Sequence, residues 1–184
     1  MIKIEAEKNA LEKAARMLEG VPNGFRQALV SSFNRALQEG RTAGTREAVN
    51  RYTLPAGIVR KTMAMHRASK GKLDAELVSR GRRLPLSAYK HKPGHDTTGA
   101  RRKQVMVSVR KGVLKPIGQG FIYNGMVMQR VGATRLPVTQ PHSLSVPNIL
   151  NNDEIVDAIK KRMVQAVGKR LEHETERILA GYGK

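Results

Sequence analysis

The octapeptide Phe121-Ile-Tyr-Asn-Gly-Met-Val-Met128 gives the clearest local indication of the fold in this chain of 184 residues. Two short apolar runs flank an Asn-Gly pair. Both central residues of a type I′ turn need a positive φ, which Asn and Gly adopt more readily than other residues. The octapeptide therefore predicts a β-hairpin that turns at Asn124 and Gly125.

The neighbouring segments extend the β-structure. After Gly71 the helical rhythm gives way to alternating apolar and polar residues, and residues 105–109 repeat that alternation. Residues 90–103 lack apolar periodicity and carry several basic side chains, so we predict a mobile basic loop there. Residues 71–147 are thus expected to form a β-rich part.

Helices are predicted before this part. Residues 22–52 repeat apolar side chains at intervals of three and four, which is the spacing of a helix. Pro55 then indicates a new helix start, and a short basic helix is expected to reach about Arg67. Residues 1–70 are therefore predicted to be a helical part.

A long helix is predicted at the other end of the chain. It covers residues 152–180 within a C-terminal part formed by residues 148–184. Asn151 is the expected cap, and Glu154 stands three residues later, in the capping-box position. Its length, roughly 43 Å at 1.5 Å per residue, is large for a chain of this size.

The order of helices, then strands, then a helix indicates an α+β fold rather than an alternating α/β fold. We expect N-terminal helices, a small and mainly antiparallel sheet built from hairpins, and a long C-terminal helix. The length fits one domain, and no internal repeat is evident, so residues 1–184 are predicted to form a single domain.

Two features of the helices suggest a subunit interface. Gly40 and Gly44 lie one turn apart on one helix face, where another backbone could approach closely; simple tolerance of the glycines is the alternative. The apolar stripe of the last helix is long enough for part of it to face another subunit. The predicted interface residues are Gly40, Gly44, Met163, Val167 and Leu171.

The charge of the chain is concentrated in its middle. Lys and Arg number 34 against 15 Asp and Glu, a net charge of +19. Residues 41–115 hold 19 basic and 4 acidic residues, a net of +15. Such a segment attracts polyanions or an acidic protein partner. The alternative is a solubilising face without a polyanion partner.

Clusters of basic residues in this segment are the candidates for contact with DNA phosphates. Only Tyr52 and Tyr89 are aromatic there, so base stacking is not expected, and contact with the backbone without sequence readout is predicted. A solvated surface is the alternative. The candidates are Arg80, Arg82, Arg83, Arg101, Arg102 and Lys103.

Other classes of function find little support in the sequence. Cys is absent, and no nucleophile elbow, P-loop or dinucleotide fingerprint occurs, so neither an enzyme nor a cofactor is expected. His91 and His95, with Asp96 adjacent, could ligate a metal ion. However, Pro93 and Gly94 place the two histidines in a flexible loop without helical geometry, no third ligand is evident, and no metal is predicted. No stretch approaches the roughly 20 apolar residues that span a membrane, so no membrane contact is expected.

Three runs of residues resemble a known family. They are Val-Met-Gln-Arg-Val-Gly-Ala-Thr-Arg-Leu-Pro-Val at 127–138, Ser-Val-Pro-Asn-Ile-Leu at 145–150, and Lys-Arg-Leu-Glu-His-Glu at 169–174. The chain resembles, from about residue 22 onward, the minor tail protein Z, or tail completion, family of long-tailed bacteriophages. It departs from the family at Gln140-Pro-His142, where a bulkier aromatic and Gly segment is common.

The resemblance implies a structural role in a virion. Family members complete the head-proximal end of the tail so that it joins the head, and they are made in the cytoplasm of the bacterial host. The implied partners are further copies of the chain in a ring around the DNA channel, and the tail terminator or other neck and tail proteins. The charge alone leaves a second hypothesis open, a nucleic-acid-binding protein without sequence specificity.

Overall fold

A computed structural model describes residues 2–3, 8–97 and 104–181 of the chain. Its fold is α+β, as predicted. The helices are α1 (Lys8–Met17), α2 (Gly24–Arg51), α3 (Ala56–Thr62), α4 (Val146–Leu150) and α5 (Asp153–Leu179).

The strands are short and pair antiparallel in four small sheets. They are β1 (Ile2–Lys3), β2 (Met63–His66), β3 (Glu76–Ser79), β4 (Arg83–Pro85), β5 (Lys90–Lys92), β6 (Met106–Ser108), β7 (Lys115–Pro116), β8 (Gly120–Tyr123), β9 (Met126–Arg130), β10 (Val138–Thr139) and β11 (His142–Ser145). The strand orders in the sheets are β1-β3-β2, β10-β9-β8, β11-β4 and β5-β6-β7.

The chain divides into two compact units, each assembled from separate stretches of sequence. Unit 1 comprises Met1–Thr45, Met63–Arg80 and Asn151–Lys184, and unit 2 comprises Arg46–Thr62 and Gly81–Leu150. The predicted division into three consecutive parts follows the order of the chain, whereas each unit combines segments that are distant in sequence.

Unit 1 is organised by α2 and α5. At Gly40 of α2, an added Cβ would lie 2.6 Å from Cγ of Met163, and at Gly44 it would lie 2.8 Å from Cδ1 of Ile159. Real Cβ atoms do not come this close to other atoms, so the two glycines make room for two large side chains of α5.

The long C-terminal helix was predicted almost to the residue, but its cap was not. α5 begins at Asp153, and Asn152 rather than Asn151 is the N-cap residue. The Asn152 side chain makes no capping hydrogen bond. Instead, the first turn contains Asp153 and Glu154, whose negative charges interact favourably with the positive end of the helix dipole and stabilise the helix.

Unit 2 contains the predicted hairpin. β8 pairs with β9, with Tyr123 opposite Met126, and the turn residues Asn124 and Gly125 have φ values of 49° and 71°. Both are positive, as a type I′ turn requires. The hairpin prediction is therefore confirmed.

Two predictions about neighbouring segments are wrong, the second of them for residues 90–97. The basic helix expected to reach Arg67 ends at Thr62, and residues 63–66 form β2, paired with β3 in unit 1. The predicted mobile loop over residues 90–103 begins with β5, which pairs with β6. In both cases the next strand along the chain supplies the backbone hydrogen bonds that decide the conformation, and local propensity does not reveal that pairing.

Tyr89 lies in the interior of unit 2. Its hydroxyl donates a hydrogen bond of 2.8 Å to the carbonyl oxygen of Leu144. Burial raises the pKa of Tyr89 above its ordinary value of 10.0, because the ionised form is poorly solvated there; the Ser143 side chain lowers it by a smaller effect.

We expect Gly40→Ala to destabilise the protein. The gain in helix propensity, about 1 kcal/mol, is outweighed because overpacking against Met163 costs roughly 1–3 kcal/mol and the Cβ contact is severe. Gly168→Ala in α5 is the matched control, since its Cβ meets nothing within 4 Å, and it should be stabilising. Urea unfolding measures both; a stabilised Gly40→Ala variant would contradict the proposed packing.

We expect Tyr89→Phe to flatten the alkaline part of the stability profile. Because the pKa of Tyr89 is raised in the folded state, its neutral hydroxyl contributes fully to the free energy of unfolding below about pH 10. That contribution is lost as the pH rises further, since the unfolded state ionises more readily. The variant loses roughly 1 kcal/mol at neutral pH with its hydrogen bond, but it escapes the alkaline loss. Unfolding from neutral pH to about pH 11, with Tyr123→Phe as the exposed control, tests this; parallel profiles for all three proteins would refute it.

Candidate nucleic-acid interface

The two units share the charge of the chain very unequally. The sequence of unit 2 has 16 basic and 2 acidic residues, a net of +14. Unit 1 has 18 basic and 13 acidic residues, a net of +5. The excess that the sequence assigns to residues 41–115 is therefore largely a property of unit 2.

Both acidic residues of unit 2 are engaged locally. Glu47 lies 3.9 Å from Nε of Arg51, one turn along α2. Asp96 accepts hydrogen bonds from the backbone N–H groups of Asn124 and Gly125, at 3.1 and 3.2 Å. Neither carboxylate is thus placed to neutralise the other cations of the unit.

Residues 90–97 do not form the mobile loop that was predicted, because Asp96 and Thr97 are hydrogen-bonded to the hairpin. The Thr97 N–H donates to the carbonyl of Ile122, and the Ile122 N–H donates to Oγ1 of Thr97. Together with the Asp96 contacts, these bonds attach the segment to the β8–β9 hairpin. The remaining residues of the predicted loop, 98–103, lie outside the described residues.

Three of the six candidate arginines and lysines are described by the structure. Arg80 ends a segment of unit 1, Arg82 follows the crossing into unit 2, and Arg83 lies in β4, opposite Ser145 of β11. All three are exposed. No carboxylate of the described residues forms an ion pair with them. Arg101, Arg102 and Lys103 are not among the described residues.

A second basic site surrounds the end of α2 and was missed at the sequence level. The Lys111 N–H donates to the carbonyl of Arg51, and the Thr53 N–H donates to the carbonyl of Val109. The Lys90 N–H donates to Oγ1 of Thr53. These bonds place Lys90 and Lys111 along a groove of about 630 Å³.

Arg110 adds a third cation beside this groove, through its contact with Tyr52, one of the lining residues. Its guanidinium lies 5.9 Å from the ring centroid of Tyr52, a cation–π distance, and the two residues form an isolated β-bridge. The residues are more than fifty positions apart, so no local pattern indicates the cluster. A positive groove of this kind suits phosphate oxygens and reads no base sequence.

The five predicted subunit-interface residues lie inside unit 1. Met163, Val167 and Leu171 are 2%, 1% and 1% exposed, and Gly40 and Gly44 are buried against α5 of the same chain. They are core residues of the unit, and the close approach predicted at the glycines takes place within the chain. The apolar stripe of α5 is a packing surface, as expected, but it packs within unit 1 of the same chain and not against another subunit.

Glu174 in the last turns of α5 is a fully buried carboxylate. Its Oε1 makes an ion pair of 2.5 Å with Arg170, without the alignment of a hydrogen bond, and its Oε2 accepts a 2.9 Å hydrogen bond from Nε of Arg177. A buried charge needs such partners, since its desolvation is otherwise very unfavourable. Glu174 is therefore a structural anchor of unit 1.

Two of the three residues considered as metal ligands, His91 and Asp96, make other contacts. Nδ1 of His91 lies 3.0 Å from the carbonyl oxygen of Tyr89, and Asp96 holds the hairpin turn. In the part of the chain that the structure describes, no group of three or more such side chains could hold a metal ion. Among those same residues, no helix is long and apolar enough to cross a membrane.

Comparison with protein-family models, with curated proteins and with solved structures gave no match for this chain.

We expect the chain to bind double-stranded DNA with an affinity that falls steeply with salt, because phosphate contacts release counterions. Replacing Arg82 and Arg83 together by Ala should reduce the slope of log affinity against log salt by about two, one for each lost contact. The Lys160→Ala, Lys161→Ala variant of exposed α5 residues in unit 1 is the control. Equal slopes for both variants, or a shallow slope for the parent chain, would contradict the assignment.

Proposed function

We propose that the chain is a structural tail protein of a bacteriophage, which completes the head-proximal end of the tail and helps to join tail to head around the DNA channel. The observation that carries this proposal is the family resemblance of three runs of residues, each of which holds a defined structural position.

The first run, residues 127–138, covers β9, the connection that follows it, and the start of β10. Nη1 of Arg130 donates a 2.5 Å hydrogen bond to the carbonyl of Arg135, and the Val131 N–H donates to the carbonyl of Pro137. The Arg-Val-Gly and Leu-Pro segments by which this run resembles the family thus contain residues whose hydrogen bonds link the two ends of the connection.

The second run, residues 145–150, forms the junction of β11 and α4. Ser145 Oγ accepts a 3.4 Å hydrogen bond from the Asn148 N–H, as a helix-capping serine does. Val146 and Ile149 are completely buried. The Ser-Val-Pro pattern therefore fits a capped helix start whose apolar residues enter the core of unit 2.

The third run, residues 169–174, contains Glu174 and the Arg170 that pairs with it. Leu171, in the same run, is buried. All three runs therefore have packing and turn roles, which is what a family of assembly proteins would share.

The charge distribution is compatible with such a role. In a ring around DNA, the exposed arginines and lysines of unit 2 would face phosphates of the passing DNA, or an acidic neighbouring ring, without reading sequence. The proposed partners are further copies of the chain, the tail terminator or other neck and tail proteins, and DNA. The proposed location is the head-proximal end of the virion tail, and the role needs neither catalysis nor a cofactor.

A second candidate function is supported by the charge alone. The net of +14 on unit 2, together with the groove at Lys90 and Lys111, would also suit a nucleic-acid-binding protein that acts outside any virion. That protein would bind DNA as described above but would be missing from phage particles.

Deletion of the coding sequence from the phage genome that carries it tests the proposal. We expect full heads and unattached tails in electron micrographs and loss of infectious particles, with recovery when the intact chain is supplied from a plasmid. The chain should also be detected by mass spectrometry in purified virions. Virions that lack the chain, or normal titres after its deletion, would refute the proposal.

A further inference from the structure

The sheet β10-β9-β8 has one face in the core of unit 2 and one face toward solvent. Ile122 and Val127 are paired across β8 and β9 and are completely buried, which marks the inner face. Residues that alternate with them, and their partners in β10, lie on the other face. That outer face presents Phe121, Tyr123, Met126, Met128, Arg130 and Val138.

The outer face carries several exposed apolar side chains beside half-buried ones such as Phe121 and Met128. Tyr123 is 51% and Met126 is 40% exposed, and the β9–β10 connection adds Leu136, which is 69% exposed. A groove of about 940 Å³ runs along the face. The groove has a mixed lining, with Thr97 and Gln119 beside its apolar residues. A cluster of exposed apolar side chains next to polar ones is typical of a surface that another molecule covers.

The composition of the face is that of a protein–protein interface. Tyr, Phe, Met and Arg are the residue types enriched where proteins bind one another, and Lys and acidic residues are depleted there. Tyr and Arg also supply many of the side chains that dominate binding energy. Here they are Tyr123, Arg130 and the adjacent Arg135.

The two arginines indicate the charge of the partner. The Arg130 guanidinium lies 5.0 Å from the ring centroid of Phe121, and Arg135 is exposed at the rim of the groove. Neither forms an ion pair with a carboxylate of the described chain. Covering them without a counter-charge would be strongly unfavourable, so the partner must supply acidic groups.

A second copy of unit 2 does not meet this requirement. Its carboxylates are Glu47, beside Arg51, and Asp96, on the hairpin turn. Two such units would bring charges of +14 together. A nucleic acid has the charge but suits the face less well, because Arg130 already covers the Phe121 ring and Tyr123 stands opposite Met126, which offers no second aromatic ring for stacking.

We infer that the outer face of β10-β9-β8 is the docking surface for a protein segment that combines apolar side chains with carboxylates. The apolar side chains fill the groove beside Tyr123, and the carboxylates pair with Arg130 and Arg135. The face would require such a partner whether or not the chain belongs to a phage tail.

Selection of peptides from a random displayed library against the whole chain, followed by NMR of its ¹³C-labelled methionine methyl groups, tests this inference. Selected peptides should combine Asp or Glu with aromatic or aliphatic residues. They should shift the methyl signals of Met126 and Met128 and leave that of Met17, an exposed methionine of unit 1, unchanged. Tyr123→Ala and Arg130→Gln should each weaken the selected peptide about tenfold or more.

Arg110→Gln is the matched control, since Arg110 also lies over an aromatic ring of unit 2 but outside this face, and it should leave the affinity unchanged. The dispersion of the methyl signals reports whether each variant is folded. Leu136→Asp is a second test of the affinity for the selected peptide, which it should lower, at a position where the side chain is exposed. Several results would overturn the inference. The selection could enrich no peptide, or only peptides without acidic residues. Arg110→Gln and Arg130→Gln could also reduce the affinity for the selected peptide equally. Tighter binding of a thymidine oligonucleotide to the face, or shifts of Met126 and Met128 on dilution of the free chain, would equally overturn it.

Discussion

The contact of α2 with α5 at Gly40 and Gly44 is the constraint on which unit 1 depends. The missing side chains leave the space that Met163 and Ile159 occupy, so α2 and α5 pack together through buried apolar residues. Glu174 adds a polar anchor near the end of α5, where its buried carboxylate is held by Arg170 and Arg177. Unit 1 thus uses much of its charge internally.

Unit 2 is built on the opposite principle. Its sheets are small, and its two carboxylates are occupied locally, Glu47 by Arg51 and Asp96 by the hairpin turn, so most of its positive charge is not balanced within the unit. The surplus positive charge lowers the stability of the unit through self-repulsion, and it attracts polyanions and acidic proteins. A unit whose charges are largely balanced, next to a unit with a net charge of +14, is what a protein would need if it holds its shape and binds others.

The sequence was most informative where a structure depends on neighbours in the chain, although it misplaced the cap of α5 by one residue. Apolar spacing located α2 and α5, and Asn124-Gly125 located the hairpin. It was uninformative where the conformation depends on a partner outside the segment itself. β5 is stabilised by the following strand, β6, and the cluster at Lys90 and Lys111 forms only because the end of α2 meets residues 108–111. Likewise, an apolar stripe shows that Met163 is covered, but not whether another subunit or the same chain covers it.

Cross-linking within assembled particles tests the central claim, that unit 2 is the surface through which an assembly protein contacts its neighbours. A photoreactive residue would replace Arg82 in unit 2 and, in a second variant, Lys160 in unit 1, both exposed. The account predicts cross-links from position 82 to DNA or to an acidic virion protein, and few from position 160. Equal cross-linking from the two positions, or none from position 82 in particles that contain the chain, would contradict it.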